Sequence, residues 1–430
     1  MAKELVVLVN NDTLGVVAQS GNGSLSFEYD EGWRGSVDPF PLSLSMPLTQ
    51  RRHTNQVVRN YILGLLPDRL NVLESLGRRY GVSHRSPFAL IAHIGEDLAG
   101  AVQMVPPGKV DDLRKREGTT QITDAKLAKF LEELVLDPGQ TQITEDAGFF
   151  SLAGAQAKKA VYWVNGKWYE PRGRTPSTHI IKPPIPHLAG QVENEHFCLL
   201  LARELRLQVA RSQVVKIGGK PNIVVARYDR RRIQSGKAIP LTQPGGTVVR
   251  FHQEDMCQAM GIDPANKYQG TEGGPGMKSI MQLLAGSGSP AVDRDRFMRA
   301  CALNYVILGT DAHGKNYSLL IESGSYRLAP LYDINSILPY DLETSRKLAM
   351  SVGGESLWRK IGPTHWEKAA VACGYSAEAA IGHVKEIIET APDAANKVLD
   401  QCRSAGLTTP VLKKLVSELE KRCTSLAKLY

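Results

Sequence analysis

The chain lacks any apolar run near the roughly 18 residues that a membrane-spanning helix needs, so no segment reads as transmembrane. It also lacks paired cysteines. Cys198, Cys257, Cys301, Cys373, Cys402 and Cys423 are scattered, with no Cys-x-x-Cys and no histidines at zinc-site spacing. That argues against a disulfide framework and a zinc ribbon, and leaves buried thiols in a reducing cytosol as the expectation. The phosphate-binding signatures are missing too. Gly218-Gly219-Lys220 has neither the P-loop spacing nor the following Ser or Thr, and reads as a hairpin turn. The small-residue stretch Ser151–Gln156 is not a G-x-G-x-x-G loop. There is no internal repeat and no low-complexity tail. The apolar run Leu5–Val9 stops at Asn10-Asn11-Asp12, too short for a signal peptide, and reads as strand and turn. The expected location is the cytoplasm.

What is present is the composition of a globular protein: 42% hydrophobic and 22% charged residues. At 430 residues the chain exceeds one ordinary core and predicts two or three domains. The net charge of +8 favours anionic partners such as nucleic acid, nucleotide or a membrane surface, although it is diffuse over this length.

Residues 1–50 carry short apolar runs divided by turn residues, a β-rich pattern. Helical spacing follows over 55–66, ended by Pro67, and again over Pro87–Ile94 and Asp124–Leu136. Asp137-Pro138-Gly139-Gln140 reads as a linker, so a first part is expected to span 1–148. Residues 149–250 read as a small sheet with one helix, Glu193–Glu204, whose face is Phe197, Leu200, Leu201 and Leu205. Residues 251–430 read as mainly helical, beginning with Gln253–Met260, interrupted by a hairpin around Glu322-Ser323-Gly324-Ser325, and helical throughout Thr364–Tyr430.

The stretch Asp311-Ala312-His313-Gly314-Lys315-Asn316 carries the chemistry. Asp and Asn stand at the D-x-x-x-x-N interval of a protein-kinase catalytic loop, where Asp takes the substrate hydroxyl proton and Asn holds a metal. Asp333, behind two short apolar runs, fits the second metal position. Upstream lie a loop of small residues at 151–156, a strand lysine, Lys182, and helix-start glutamates, Glu193 and Glu195. Loop, Lys, Glu, Asp-Asn and Asp follow the kinase order. Taken alone, the loop also reads as a packing turn and Lys182 as a solvated lysine. One histidine with oxygen donors favours a hard cation such as magnesium over a soft metal.

Eight ordered pieces resemble the HipA-type serine/threonine kinases, toxins of bacterial type II toxin–antitoxin pairs. They are residues 151–156, 179–183, 192–195, 227–230, 252–258, 273–276, 310–316 and 328–334. The resemblance implies an α+β, two-lobed protein-kinase-like fold: an N-terminal β-rich subdomain (1–148), an N-lobe (149–250) and a helical C-lobe (251–430). It implies Asp311 as proton acceptor, and ATP with Mg2+ held by Asn316 and Asp333. Lys182 would bind phosphates under a loop of Ala153, Gly154, Ala155, Gln156, Ala157 and Lys158. Ala226, Arg227 and Tyr228 would meet adenine, and His313, Lys315 and Tyr332 would line the site. Ser151 would be an autophosphorylated off-switch, since a phosphoserine dianion repels ATP phosphates. The implied partners are a helix-turn-helix antitoxin dimer, operator DNA through that complex, and a protein substrate such as glutamyl-tRNA synthetase or another aminoacyl-tRNA synthetase. Ala157, Lys159 and Ala226 depart from residues common in the family, and none removes a catalytic group. A phosphotransferase acting on a lipid or small molecule, and a non-catalytic corepressor, are the alternative readings.

Overall fold

In the computed structural model, residues 3–137, 143, 156–340 and 347–430 are described. Ser151, Ala153, Gly154 and Ala155 lie outside them. The chain divides into two compact units: residues 1–183, 215–265 and 319–326 form the first, and 184–214, 266–318 and 327–430 the second.

The first unit opens with a five-stranded sheet. Strands β1 (Lys3–Val9), β2 (Asp12–Gln19), β3 (Leu25–Tyr29), β4 (Arg52–Thr54) and β5 (Val102–Val105) lie in the order β4-β3-β2-β1-β5, with antiparallel pairing at each step. Strand β3 buries Leu25, Phe27 and Tyr29 and leaves the alternate residues partly exposed, the period-2 pattern of a sheet with one face on a core. Helices Asn55–Leu65 and Pro87–Ile94 supply Val58, Tyr61, Ile62, Leu90 and Ile91 to that core.

A second sheet holds β6 (Glu117–Ile122), β7 (Lys159–Val164), β8 (Lys167–Gly173), β9 (His179–Lys182), β10 (Ser212–Ile217) and β11 (Lys220–Ala226), in the order β10-β11-β9-β7-β8-β6. The sequence reading puts 117–136 with the N-terminal part. The structure instead pairs β6 with β8 along its whole length, Glu117 opposite Gly173 to Ile122 opposite Trp168. Helix Asp124–Leu136 then packs Leu127, Phe130, Leu131 and Leu134 against Val161, Trp168, Ile181 and Val224 of the same sheet. Strand β6 and this helix thus belong with the second sheet, and the first core cluster ends by Met104. Lys159, one of the departures, is buried against Glu170 at 2.5 Å rather than placed at a surface.

A buried ionic network joins the loop before β5 to the stretch 227–250. The Asp97 carboxylate accepts from Arg227 (3.2 Å), Arg230 (2.9 Å), Arg250 (3.1 Å) and Ser177 Oγ (2.5 Å). Asp229 accepts from Arg227 (2.7 Å), Arg230 (3.0 Å) and the Gly100 N–H (2.8 Å). Three guanidinium groups hold the Asp97 carboxyl well below the usual carboxylate range, against the opposing effect of burial.

The expected helix 253–260 is half strand: His252–Asp255 is extended, and only Met256–Ala259 is helical, capped by Asp255. Within that strand Glu254 is fully buried. Burial pushes its carboxyl up to about 8, while the Leu44 N–H donated to Oε1 at 2.8 Å pulls the other way. A raised folded-state pKa means stability present below the unfolded value, near 4.5, and lost as pH rises towards 8. The Glu254 contribution should therefore fall from about pH 5 to about pH 8, and the difference between wild-type and Glu254→Gln melting curves should change over that range, by at most about 1.4 kcal/mol per pH unit. Identical slopes in both proteins would refute the assignment.

The second unit is helical, as expected for the C-terminal part. Helices Pro363–Ala372, Ala377–Ser404 and Pro410–Ala427 follow a short hairpin, Lys347–Val352 with Glu355–Leu357, that the sequence reading does not contain. The long helix buries Val384, Ile387, Ile388, Ala391, Ala395, Val398 and Cys402, one apolar stripe. All six cysteines are free and buried. Among the described residues no helix is long and apolar enough to cross a membrane.

Candidate active site

Helix Pro290–Val306 delivers the Asp311 loop. It exits through Leu308 in the left-handed region (φ 52°), and the Gly309 N–H returns to the Asn304 carbonyl at 2.8 Å. Leu308 is a costly residue at such an angle. A Cβ on Gly309 would collide with the Asn304 side chain, so glycine is required there. Arg422, from the last helix, donates to the Val306 (2.9 Å) and Tyr305 (2.8 Å) carbonyls that the helix end leaves unsatisfied. Its guanidinium lies over the rings of Tyr305 and Trp358.

The loop itself is held from inside. The Asp311 carbonyl accepts the His313 N–H (2.8 Å) and the Asn316 side-chain amide (2.7 Å), and the His313 carbonyl accepts the Asn316 N–H (2.9 Å). His313 and Lys315 are buried, whereas the Asp311 side chain is 68% exposed. Its Oδ1 lies 4.0 Å from His313 Nε2 and accepts the Tyr268 hydroxyl at 2.5 Å. The neighbouring side chains are thus buried while the carboxylate reaches solvent.

The second acidic position is tied to the same loop. The Tyr332 hydroxyl donates to the Lys315 carbonyl and bonds Ser318 Oγ, both at 2.7 Å. Asp333 follows at φ 56°, a left-handed conformation that a non-glycine residue keeps only when its surroundings enforce it. Those surroundings are visible. Ser336 exchanges bonds with Asn194 of helix Gln191–Glu204 (3.1 and 2.7 Å) and donates to the Ile307 carbonyl (2.5 Å), and the Ile337 N–H donates to the Leu308 carbonyl (3.2 Å). Asp311, His313, Lys315, Asn316, Tyr332 and Asp333 are thus brought together in one unit.

The donor chemistry there fits a hard cation. Asn316 uses its amide nitrogen on Asp311 and carries an amide oxygen, and Asp333 carries a carboxylate, both hard oxygen donors. Among the described residues there is no cluster of three or more His, Cys, Asp or Glu side chains placed to hold a metal by themselves. An amide and a carboxylate suit magnesium, which keeps water and phosphate oxygens for its other positions.

The remaining expected residues lie in the first unit. Lys182 ends β9, buried, opposite Ile223 of β11, and Ala226 at the end of β11 pairs with His179. The Gln156 side chain donates to the Pro183 carbonyl at 3.1 Å, which ties the end of the small-residue loop to the lysine strand. Ala157 packs on the sheet core beside it, and Lys158 is partly exposed. Burial pushes His179 down to about 3, so its imidazole is neutral. Tyr228 donates to the Gln253 side-chain oxygen.

The Arg227 side chain is taken up by the buried network. Its Nε–H goes to Asp229, its Nη1 hydrogens to Asp97 and Ser177, and its Nη2 hydrogens to Leu98 and Asp229. The main-chain N–H donates to Thr178 at 3.0 Å. With its donors engaged in the core, the Arg227 side chain anchors the fold. Tyr268, Asn194, Ser336 and Arg422 were not legible in the sequence, because each acts through partners far away in the chain.

Comparison with known proteins places the chain in a family. Residues 150–395 match the HipA-like C-terminal domain, and residues 5–105 the HipA N-terminal domain. Y4mE of Sinorhizobium fredii is 33% identical over 393 residues, 90% of each chain. The serine/threonine-protein kinase toxin HipA of Shewanella oneidensis is 30% identical over 77% of this chain and 76% of its own. A chain of the solved complex of Shewanella oneidensis HipA, HipB and operator DNA superposes with a TM-score of 0.83, at 25% identity, covering 99% of this chain and 98% of that one. The chain therefore belongs to the HipA family of serine/threonine kinase toxins.

Proposed function

We propose that this protein transfers the γ-phosphate of ATP to a serine or threonine of another protein. The observation that supports this reading is the loop in which Asn316 bonds to Asp311, with Tyr332 tied to the same loop and Asp333 next to it at a strained angle. Asp311 takes the proton from the acceptor hydroxyl as its oxygen bonds phosphorus, the bond from phosphorus to the bridging oxygen breaks, and ADP leaves. Lys182 binds the phosphates from its strand end. Magnesium, held by Asn316 and Asp333, supplies neutralisation of phosphate charge. The remainder is positioning, since phosphoryl transfer asks for little covalent chemistry from the protein.

As a toxin kinase in a bacterial cytoplasm, it would phosphorylate an aminoacyl-tRNA synthetase, slow translation and arrest growth. It would be held with its operator DNA by a helix-turn-helix antitoxin dimer. The solved HipA–HipB–DNA assembly is the support for that partnership. Ser151 would carry the autophosphate that silences the enzyme, by setting a dianion beside the loop that covers ATP.

Mass spectrometry tests both parts. Protein incubated with Mg-ATP should gain phosphate at Ser151, and phosphoproteomes of cells expressing it should gain sites absent with Asp311→Asn. Phosphate found only at other positions of the chain rejects the Ser151 switch. Phosphoproteomes unchanged by the Asp311 substitution reject the kinase.

A further inference from the structure

The Asp311 carboxylate has a partner that no motif announces. The Tyr268 hydroxyl donates to Oδ1 at 2.5 Å, from 43 positions upstream. Tyr268 is itself fixed to the loop it touches. The carbonyl of Lys267 accepts the Gly314 N–H at 3.1 Å, and the carbonyl of Tyr268 accepts the Gly274 N–H at 3.2 Å. The phenol ring meets the His313 ring edge-to-face, centroids 4.9 Å apart. Pro275 closes the approach: a Cβ on Gly314 would stand 2.7 Å from its Cγ. Gln269, the next residue, accepts the Ser351 N–H at 2.9 Å, which fastens the segment to the hairpin strand Lys347–Val352.

We infer that Tyr268 is a positioning residue of the phosphoryl transfer, holding one oxygen of Asp311 so that the other faces the acceptor hydroxyl. The inference rests on the kinase reading above. The physical need is plain. Asp311 is 68% exposed, and a solvated carboxylate turns about two side-chain bonds unless something restrains it. A proton acceptor must be held within about 10–20° of its working geometry. A phenol donating to a carboxylate makes a short, charge-assisted bond suited to that task. The edge contact with His313 keeps the phenol from swinging away.

Tyr268→Phe removes the hydroxyl and keeps the ring. Single-turnover transfer from labelled ATP should slow about 10- to 100-fold, the loss of one hydrogen bond to a charged group. The KM for ATP and the Kd for Mg-ATP should stay at wild-type values, a split that a general folding defect would not give. In an Asp311→Asn background the same change should cost nothing further, because Tyr268 acts through Asp311. An unchanged rate in Tyr268→Phe, an equal second loss in the double variant, or faster transfer from removal of a phenol that blocks the acceptor would each overturn the inference. If wild-type protein transfers phosphate and Tyr268→Phe matches it, the tyrosine inference falls alone. If wild-type protein transfers none, the kinase reading falls with it.

Discussion

Asp311→Asn should reduce phosphate transfer at least ~100-fold, the usual contribution of a positioned general base, while Mg-ATP binds within about threefold of wild type. Asparagine keeps the size of the side chain and still meets the Tyr268 hydroxyl through its amide oxygen, so the geometry survives. What disappears is the capacity to take a proton. The loop should hold its shape, because the bonds that define it run to the Asp311 carbonyl and not to its carboxylate. Stopped-time transfer assays beside equilibrium nucleotide binding make the measurement. Retained turnover would remove Asp311 from the chemistry; lost turnover together with lost ATP binding would make it a structural residue.

Asp97→Ala should destabilise the protein by about 3–5 kcal/mol, the range for breaking a buried ion pair from one side. Three guanidinium groups, those of Arg227, Arg230 and Arg250, would then face only Asp229 inside the core. Because the Asp97 carboxyl is held below its ordinary 3.8, its stabilisation is present above that value and disappears as pH falls further. Urea unfolding at neutral pH should display the loss in the midpoint. Near pH 3 the gap between variant and wild type should begin to narrow. A midpoint within about 0.5 kcal/mol of wild type would mean that the network contributes little net stability.

The Asp311 loop was legible because its pattern is local: Asp311 and Asn316 are five positions apart, and the bond between them closes inside that span. The general α+β organisation was legible from periodicity for the same reason. What sequence reading missed is non-local. Strand β6 pairs with β8 across the Pro-Gly stretch that looked like a linker, and a linker's composition says nothing about which strands meet across it. Arg227 read only as an adenine contact, because the acid that buries its side chain, Asp97, is 130 residues away. Gln253–Asp255 read as the start of a helix and is strand, with Glu254 and Asp255 buried there, which defeats a pattern based on polarity. Tyr268 offered no signal at all: a tyrosine in a polar turn acquires meaning only from the carboxylate it reaches.

Strand β6 and the helix after it also set where the gene can be divided. A fragment beginning at residue 149 would look like a complete catalytic portion by its motifs. It would lack the edge strand of its own sheet and the helix over one face, leaving Val161, Trp168, Ile181 and Val224 in water and the rim of β8 open to pairing with any other chain. Such a fragment would aggregate for reasons unrelated to catalysis. One beginning near residue 106 would carry the missing strand and helix with it, although the Asp97 acceptor would be left behind and three arginines would enter the fragment's core with only Asp229 to meet them. Neither of these cuts respects both the hydrophobic packing and the buried charge.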